Sequence, residues 1–130
     1  MVDPKIVQEW LDKAHEDFRF AQANLDDGNE FYSQICFHFQ QSAEKYLKAF
    51  IIANDLKFEK QHNLIFLLKT CAATVPTLLS LMPQCEFLNI AYIDTRYPVH
   101  WPTDYTKEKA VKARDAANAV ATAVRGLLKT

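Results

Sequence analysis

The chain has 130 residues, of which 49% are hydrophobic and 24% charged, a balance that excludes a disordered protein. Its net charge of −1 excludes a strongly basic nucleic-acid-binding domain, although a local basic patch is compatible with it. Only two glycines occur, and this scarcity favours long helices with few tight turns. We therefore expect residues 1–130 to form a single all-α domain.

No apolar run approaches the length of about 18 residues that a membrane span needs. The amino terminus lacks the basic and apolar segments of a signal peptide. Cys36, Cys71 and Cys85 lie far apart, which is typical of reduced thiols that pack in a core rather than of disulfides or a zinc site. These features together predict a cytoplasmic protein without a membrane partner.

The first helix is predicted to begin at Asp3, a good N-cap, with Pro4 at its first position. It should end near Gly28, which can adopt the left-handed conformation of a helix C-cap. Trp10 lies in the middle of the apolar face and is expected to be largely buried. Phe20 lies away from that face and is expected to be exposed.

The second helix is predicted over residues 30–54, and its apolar residues surround much of its circumference. A helix that is apolar on several sides is normally central in a fold. A separate stripe on the side opposite the main apolar stripe contains Phe37, Gln41, Glu44 and Lys48, with His38 and Lys45 beside it. Glu44 and Lys48 are either a surface ion pair worth a few tenths of a kcal/mol or part of a polar groove.

The rest of the chain is predicted to form three more helices and a short element, connected closely enough for an up-and-down bundle of about five helices. The elements are a third helix over residues 62–74, a short element over 77–82, a fourth helix over 84–95 and a last helix capped by Thr106. Between the last two helices, the loop RYPVHWPTDY contains residue types that recognise ligands: Arg96, Tyr97, His100, Trp101 and Tyr105.

The segment FHFQQSAEKYLKA, residues 37–49, resembles the signature of HEPN domains, the nucleotide-binding helical domains of prokaryotes and higher eukaryotes. Other positions that resemble the family are Trp10-Leu11 with Ala14 and Asp17, His62, and Arg96-Tyr97-Pro98. The resemblance implies a helical bundle that is usually dimeric. It also implies nucleotide or RNA as ligand, and a minimal nucleotidyltransferase as partner in a toxin–antitoxin pair. Many members are metal-independent ribonucleases, so no cofactor is expected.

The ribonuclease members carry Arg followed by four to six residues and then His, whereas only three residues separate Arg96 from His100 here. In such a pair the histidine acts as base on the ribose 2′-hydroxyl, and the arginine stabilises charge on the phosphate. The alternative is that Arg96 bonds helix-terminal carbonyls or Asp94 and that His100 is simply exposed.

The candidate nucleotide-binding residues are Gln41, Glu44, Lys45, Lys48 and Tyr97. The lysines would meet phosphate, and Gln41 a base or ribose. The four histidines show no short metal-binding spacing, so no metal site is predicted. A homodimer is expected because the fourth helix has excess apolar surface and Phe20 is exposed. The alternative function is a non-catalytic helical module that dimerises or docks a partner.

Overall fold

The computed structural model describes residues 2–94 and 105–128, with backbone alone at residues 93 and 94. Within these residues the chain forms five α-helices and one short 3-10 helix, and no strand. The α-helices are α1 (Pro4–Asp26), α2 (Tyr32–Ala53), α3 (Leu64–Ala72), α4 (Met82–Asp94) and α5 (Lys107–Leu128), and the 3-10 helix is Pro76–Leu81. The prediction of an all-α helical bundle is confirmed.

Helix α2 is central, as its apolar circumference predicts, and it contacts each of the other four α-helices. Phe39, Leu47 and Phe50 are fully or almost fully buried along it. Polar side chains also tie it to its neighbours: the Ser42 hydroxyl donates to the Ala14 carbonyl of α1 at 2.7 Å. The position of α2 in the middle of the bundle decides how deeply its polar side chains are buried.

The ends of the helices are set by capping residues close to them in the sequence. The Asp3 carboxylate accepts a hydrogen bond from the Lys5 amide at 2.9 Å, and the Thr106 hydroxyl accepts one from the Lys109 amide at 3.2 Å, so both predicted N-caps form. Gly28 has a φ of 77°, the left-handed conformation expected of it. These caps satisfy backbone amides that have no partner within the helix.

Helix α3 begins at Leu64 and not at the predicted position 62. The Asn63 side chain accepts hydrogen bonds from the Ile65 and Phe66 amides and is the N-cap. His62 therefore precedes the cap and lies outside the helix.

Trp10 is half-buried and not largely buried as predicted. Part of its side chain packs against the core, and its ring lies against the Phe58 ring, 5.5 Å between centroids, in the segment between α2 and α3. Phe20 is 54% exposed, as expected.

The three cysteines are free and buried. Burial raises the pKa of each thiol to about 12, which keeps it protonated and unreactive. No helix of the described residues combines the length and apolar character needed to cross a bilayer.

Candidate functional site

A buried carboxylate on α2 is the centre of the candidate site. The Glu44 carboxylate accepts a hydrogen bond from the Lys48 ammonium at 3.0 Å and lies 3.1 Å from His62 Nδ1 through each of its two oxygens. Gln40 Nε2 lies 3.4 Å from the same carboxylate. We call Glu44, Lys48 and His62 the buried cluster. Charged groups so far inside a domain are rare unless they are paired.

Burial changes steeply across the buried cluster. The side chains of Glu44 and Lys48 are only 4% and 7% exposed, whereas that of His62 is 49% exposed. The ion pair therefore forms the floor of the site, and the imidazole forms its solvent-facing edge. Glu44 and Lys48 therefore form a buried ion pair and not the surface ion pair that was one of the two alternatives from the sequence.

The buried cluster comes from α2 and the segment before α3, and α4 holds that segment in place. Glu44 and Lys48 are one helical turn apart on α2, which puts them on the same face. His62 reaches them because it precedes the N-cap of α3. The start of α3 is fixed against α4, since the Leu64 amide donates to the Asn89 side chain at 2.9 Å.

Aromatic rings support the imidazole from the side of α4. The Tyr92 ring stacks on His62 with 4.9 Å between centroids and 16° between planes. Phe37 of α2 also stacks on Tyr92, with 6.2 Å between centroids and 28° between planes. The last turns of α4 therefore lie beside the buried cluster, and residues 95–104 follow α4 directly in the chain.

A second group of the same residue types lies on the α1 side of α2. The Lys45 ammonium is 2.5 Å from one oxygen of Asp17, and His38 Nδ1 is 3.7 Å from the other. We call Asp17, Lys45 and His38 the flank cluster. Burial alone would raise the pKa of Asp17, but its interactions with His38 and Lys45 outweigh burial and hold that pKa below its ordinary value.

The carboxylate and the lysine of the flank cluster are more exposed than those of the buried cluster, and the contact from its histidine is longer. At 3.7 Å the contact from His38 is too long for a hydrogen bond, and Nδ1 has no hydrogen-bond partner among the described residues. Lys45 borders an open groove of about 630 Å³ whose lining contains three carboxylates and two ammonium groups. The lining residues are Glu9, Trp10, Asp12, Lys13, Glu16 and Lys45. This charge balance does not favour a phosphate.

The predicted nucleotide-binding residues thus separate into groups. Glu44 and Lys48 lie together in the buried cluster, and half-buried Gln41 is joined to them through Gln40, whose Oε1 accepts from Gln41 Nε2 at 2.7 Å. Lys45 belongs to the flank cluster. The remaining predicted site residues, Arg96, Tyr97 and His100, lie outside the described residues.

Sequence reasoning did not include His62 in the site. It contacts Glu44 across 18 residues of sequence and from a different element, so no sequence spacing predicts the contact. The available signal was Asn63, which is a better N-cap than His62 and would have placed the histidine outside the helix.

The buried cluster has the composition for proton transfer more than for metal binding. A histidine held by a carboxylate is a common acid–base arrangement. In the part of the chain that the structure describes, no group of three or more His, Cys, Asp or Glu side chains is placed to hold a metal ion.

Comparison with known proteins identifies the fold. The family model of the HEPN domain matches residues 7–127. The crystal structure of TT1696 from Thermus thermophilus superimposes with a TM-score of 0.82 and 30% sequence identity, covering 92% of this chain and 96% of that one. The crystal structure of ST0689, an archaeal HEPN homologue, superimposes with a TM-score of 0.75 and 25% identity, covering 93% and 96%.

A curated relative from Methanocaldococcus jannaschii, "Putative toxin MJ1304", is 28% identical over 96% of this chain and 90% of its own length. The helical bundle and these matches define the class: the chain belongs to the HEPN domain family. The resemblance noted in residues 37–49 is therefore confirmed.

Proposed function

We propose that this chain is a HEPN toxin that acts on RNA as a metal-independent endoribonuclease. The observation that carries the proposal is the buried cluster, a paired carboxylate and lysine with a half-exposed histidine, beside the last turns of α4. Glu and Lys side chains are almost never so deeply buried unless they are paired, which marks this cluster as a candidate site. The similarity to a relative named as a toxin supports the toxin assignment.

In this proposal Arg96 and His100 are the catalytic pair. His100 takes the proton of the ribose 2′-hydroxyl, and Arg96 stabilises the charge that develops on the phosphate. Both belong to the segment that follows α4, the helix whose Tyr92 packs on the buried cluster. We therefore propose that this segment and the buried cluster together form the surface that binds RNA.

The nucleotide-binding residues have different tasks. Gln41 and Tyr97 contact the base or ribose. Glu44 and Lys48 form the floor, since the Lys48 ammonium is engaged by Glu44 at 3.0 Å and is almost fully buried. Lys45 can bind a phosphate group of the ligand only after its contact with Asp17 is broken.

Further parts of the proposal are a homodimer, a minimal nucleotidyltransferase as antitoxin partner and a cytoplasmic location. The dimer is supported by exposed apolar side chains on two helices, Phe20 at 54% and Ile90 at 56% exposure. Sedimentation at micromolar concentration should give the mass of two chains, and a monomer alone would contradict this part. Co-expression with a nucleotidyltransferase encoded beside the chain should suppress its toxicity.

The test of the catalytic proposal is RNA cleavage by purified protein in the presence of EDTA. Arg96→Ala and His100→Ala should each abolish cleavage and leave the helical circular dichroism and the sedimentation mass unchanged. Arg114→Ala and His15→Ala are matched controls, because Arg114 pairs with its neighbour Asp115 on α5 and His15 is exposed on α1. Cleavage that survives both active-site substitutions, or its absence from the unsubstituted protein, would contradict the proposal.

A non-catalytic docking module is the second candidate, and one observation favours it. The cations of α2 are already paired, Lys48 with Glu44 and Lys45 with Asp17, so neither is free for phosphate without rearrangement. The three-residue spacing between Arg96 and His100 points the same way. Absence of cleavage together with retained dimerisation would support this candidate.

A further inference from the structure

The two ring nitrogens of His62 have different surroundings. Nδ1 lies 3.1 Å from both oxygens of the buried Glu44 carboxylate, while half of the side chain is open to solvent. A carboxylate only accepts hydrogen bonds, so Nδ1 carries a proton. In the neutral ring the lone pair is then on Nε2. Within residues 2–94 and 105–128 no hydrogen bond to Nε2 is found, which leaves it available to a ligand.

The imidazole is also fixed in place. Tyr92 covers one face at 4.9 Å, and Gln40 Nε2 lies 3.4 Å from the His62 carbonyl. Glu44 is itself held by Lys48 at 3.0 Å. A proton-transfer group that is oriented before the ligand arrives loses little freedom during the reaction.

The charged groups beside the ring belong to α2 and are paired with each other. The groups facing it are Glu44 and Lys48 from α2 and the Tyr92 ring from α4. The buried cluster is neutral when the ring is neutral and carries one positive charge when Nε2 is protonated, so neither form leaves a buried charge without an opposite partner.

We infer that His62 is the general acid of the site, delivering a proton from Nε2 to the leaving oxygen of RNA, and that Glu44 is its positioning residue. This inference rests on the proposed ribonuclease function. The ribose 2′-oxygen loses its proton to the base and forms a bond to phosphorus, and the bond from phosphorus to the 5′-oxygen breaks. The 5′-oxygen takes the His62 proton, which gives a 2′,3′-cyclic phosphate and a free 5′-hydroxyl. No oxidant, reductant or metal enters the balance.

The test compares two substrates in EDTA: an RNA oligonucleotide, and the same oligonucleotide with sulfur in place of the bridging 5′-oxygen. A thiolate leaves without a proton, so the sulfur substrate does not need the acid. His62→Gln should slow cleavage of ordinary RNA by about 100-fold to 10,000-fold. It should change cleavage of the sulfur substrate by only a few-fold, and it should remove one limb of the pH–rate profile. His15→Gln, an exposed histidine of α1, should behave as the unsubstituted protein on both substrates.

Each outcome of this test is decisive. Equal losses on the two substrates would overturn the acid role, and so would no loss on either. If the unsubstituted protein cleaves RNA and only this pattern fails, the inference fails and the proposed function survives. If it cleaves neither substrate, both fail together. Should His62→Gln not fold, ¹⁵N NMR of the unsubstituted protein decides: in the neutral form of the His62 ring the proton is expected on Nδ1, so that the acid form delivers its second proton from Nε2, and a neutral ring with its proton on Nε2 instead would overturn the inference.

Discussion

Helix α2 takes part in two clusters made of the same three residue types, a carboxylate, a lysine and a histidine. In the buried cluster the carboxylate and lysine side chains are 4% and 7% exposed, and the histidine is at hydrogen-bond distance. In the flank cluster the corresponding side chains are 19% and 28% exposed, and the histidine is 3.7 Å away. The same residue types thus form a buried ion pair with a histidine at hydrogen-bond distance in one place. In the other they form a more exposed ion pair that joins two helices and leaves its histidine farther away.

The difference shows that the degree of burial determines how costly it is for such a cluster to lose one of its partners. Inside a domain, an unpaired charge is costly, so the partners are held in one geometry. Near the surface, water replaces a lost partner at little cost. The buried cluster is therefore the pre-organised one, and the flank cluster chiefly joins α1 to α2.

The largest effect is expected from breaking the buried pair. Glu44→Gln leaves the Lys48 ammonium without its counter-charge in the interior, so the free energy of unfolding should fall by about 3–5 kcal/mol. Urea denaturation followed by circular dichroism measures this. Glu16→Gln is the control, because Glu16 is 72% exposed and its contact with Lys13 is 3.7 Å. If the free energy of unfolding falls by less than about 1 kcal/mol in Glu44→Gln, the buried pair behaves like an exposed pair and the two clusters do not differ as stated.

A smaller and pH-dependent effect is expected at the flank cluster. Asp17→Asn should lower the free energy of unfolding by about 1 kcal/mol near neutral pH. Since the pKa of Asp17 is below its ordinary 3.8 in the folded chain, this contribution is present above pH 3.8 and disappears as the pH falls through the folded value. Denaturation curves of both proteins at neutral pH and in acid should therefore converge in acid. A difference that grows in acid would contradict the assignment.

The smallest change in stability is expected when both charges of the buried pair are removed together. Glu44→Leu combined with Lys48→Met replaces the pair with apolar side chains, and such exchanges are often neutral. The free energy of unfolding should stay within about 1 kcal/mol of the original, while RNA cleavage should fall sharply because His62 has lost its positioning residue. A double variant that is stable and still fully active would show that the pair is structural only.

Much of the fold can be predicted from the sequence because it depends on residues that are close together in the chain. Asp3 and Thr106 act as N-caps within three residues of their partners, and the apolar circumference of α2 predicts a central helix. The depth of Glu44 and Lys48 is not readable, because the spacing of one helical turn is the same in a surface pair and in a buried one. The contacts from Lys45 to Asp17 and from His62 to Glu44 depend on how separate helices pack.

The most direct test of which cluster is the working surface uses the histidine rings as reporters. The chain has four histidines, so their ring signals can be assigned by single His→Gln substitutions. The protein is titrated with an RNA oligonucleotide that is 2′-O-methylated throughout, which binds without being cleaved. We expect saturable shifts of the His62 ring signals and little change at His38. Shifts at His38 without shifts at His62, or no shift at either ring, would contradict it.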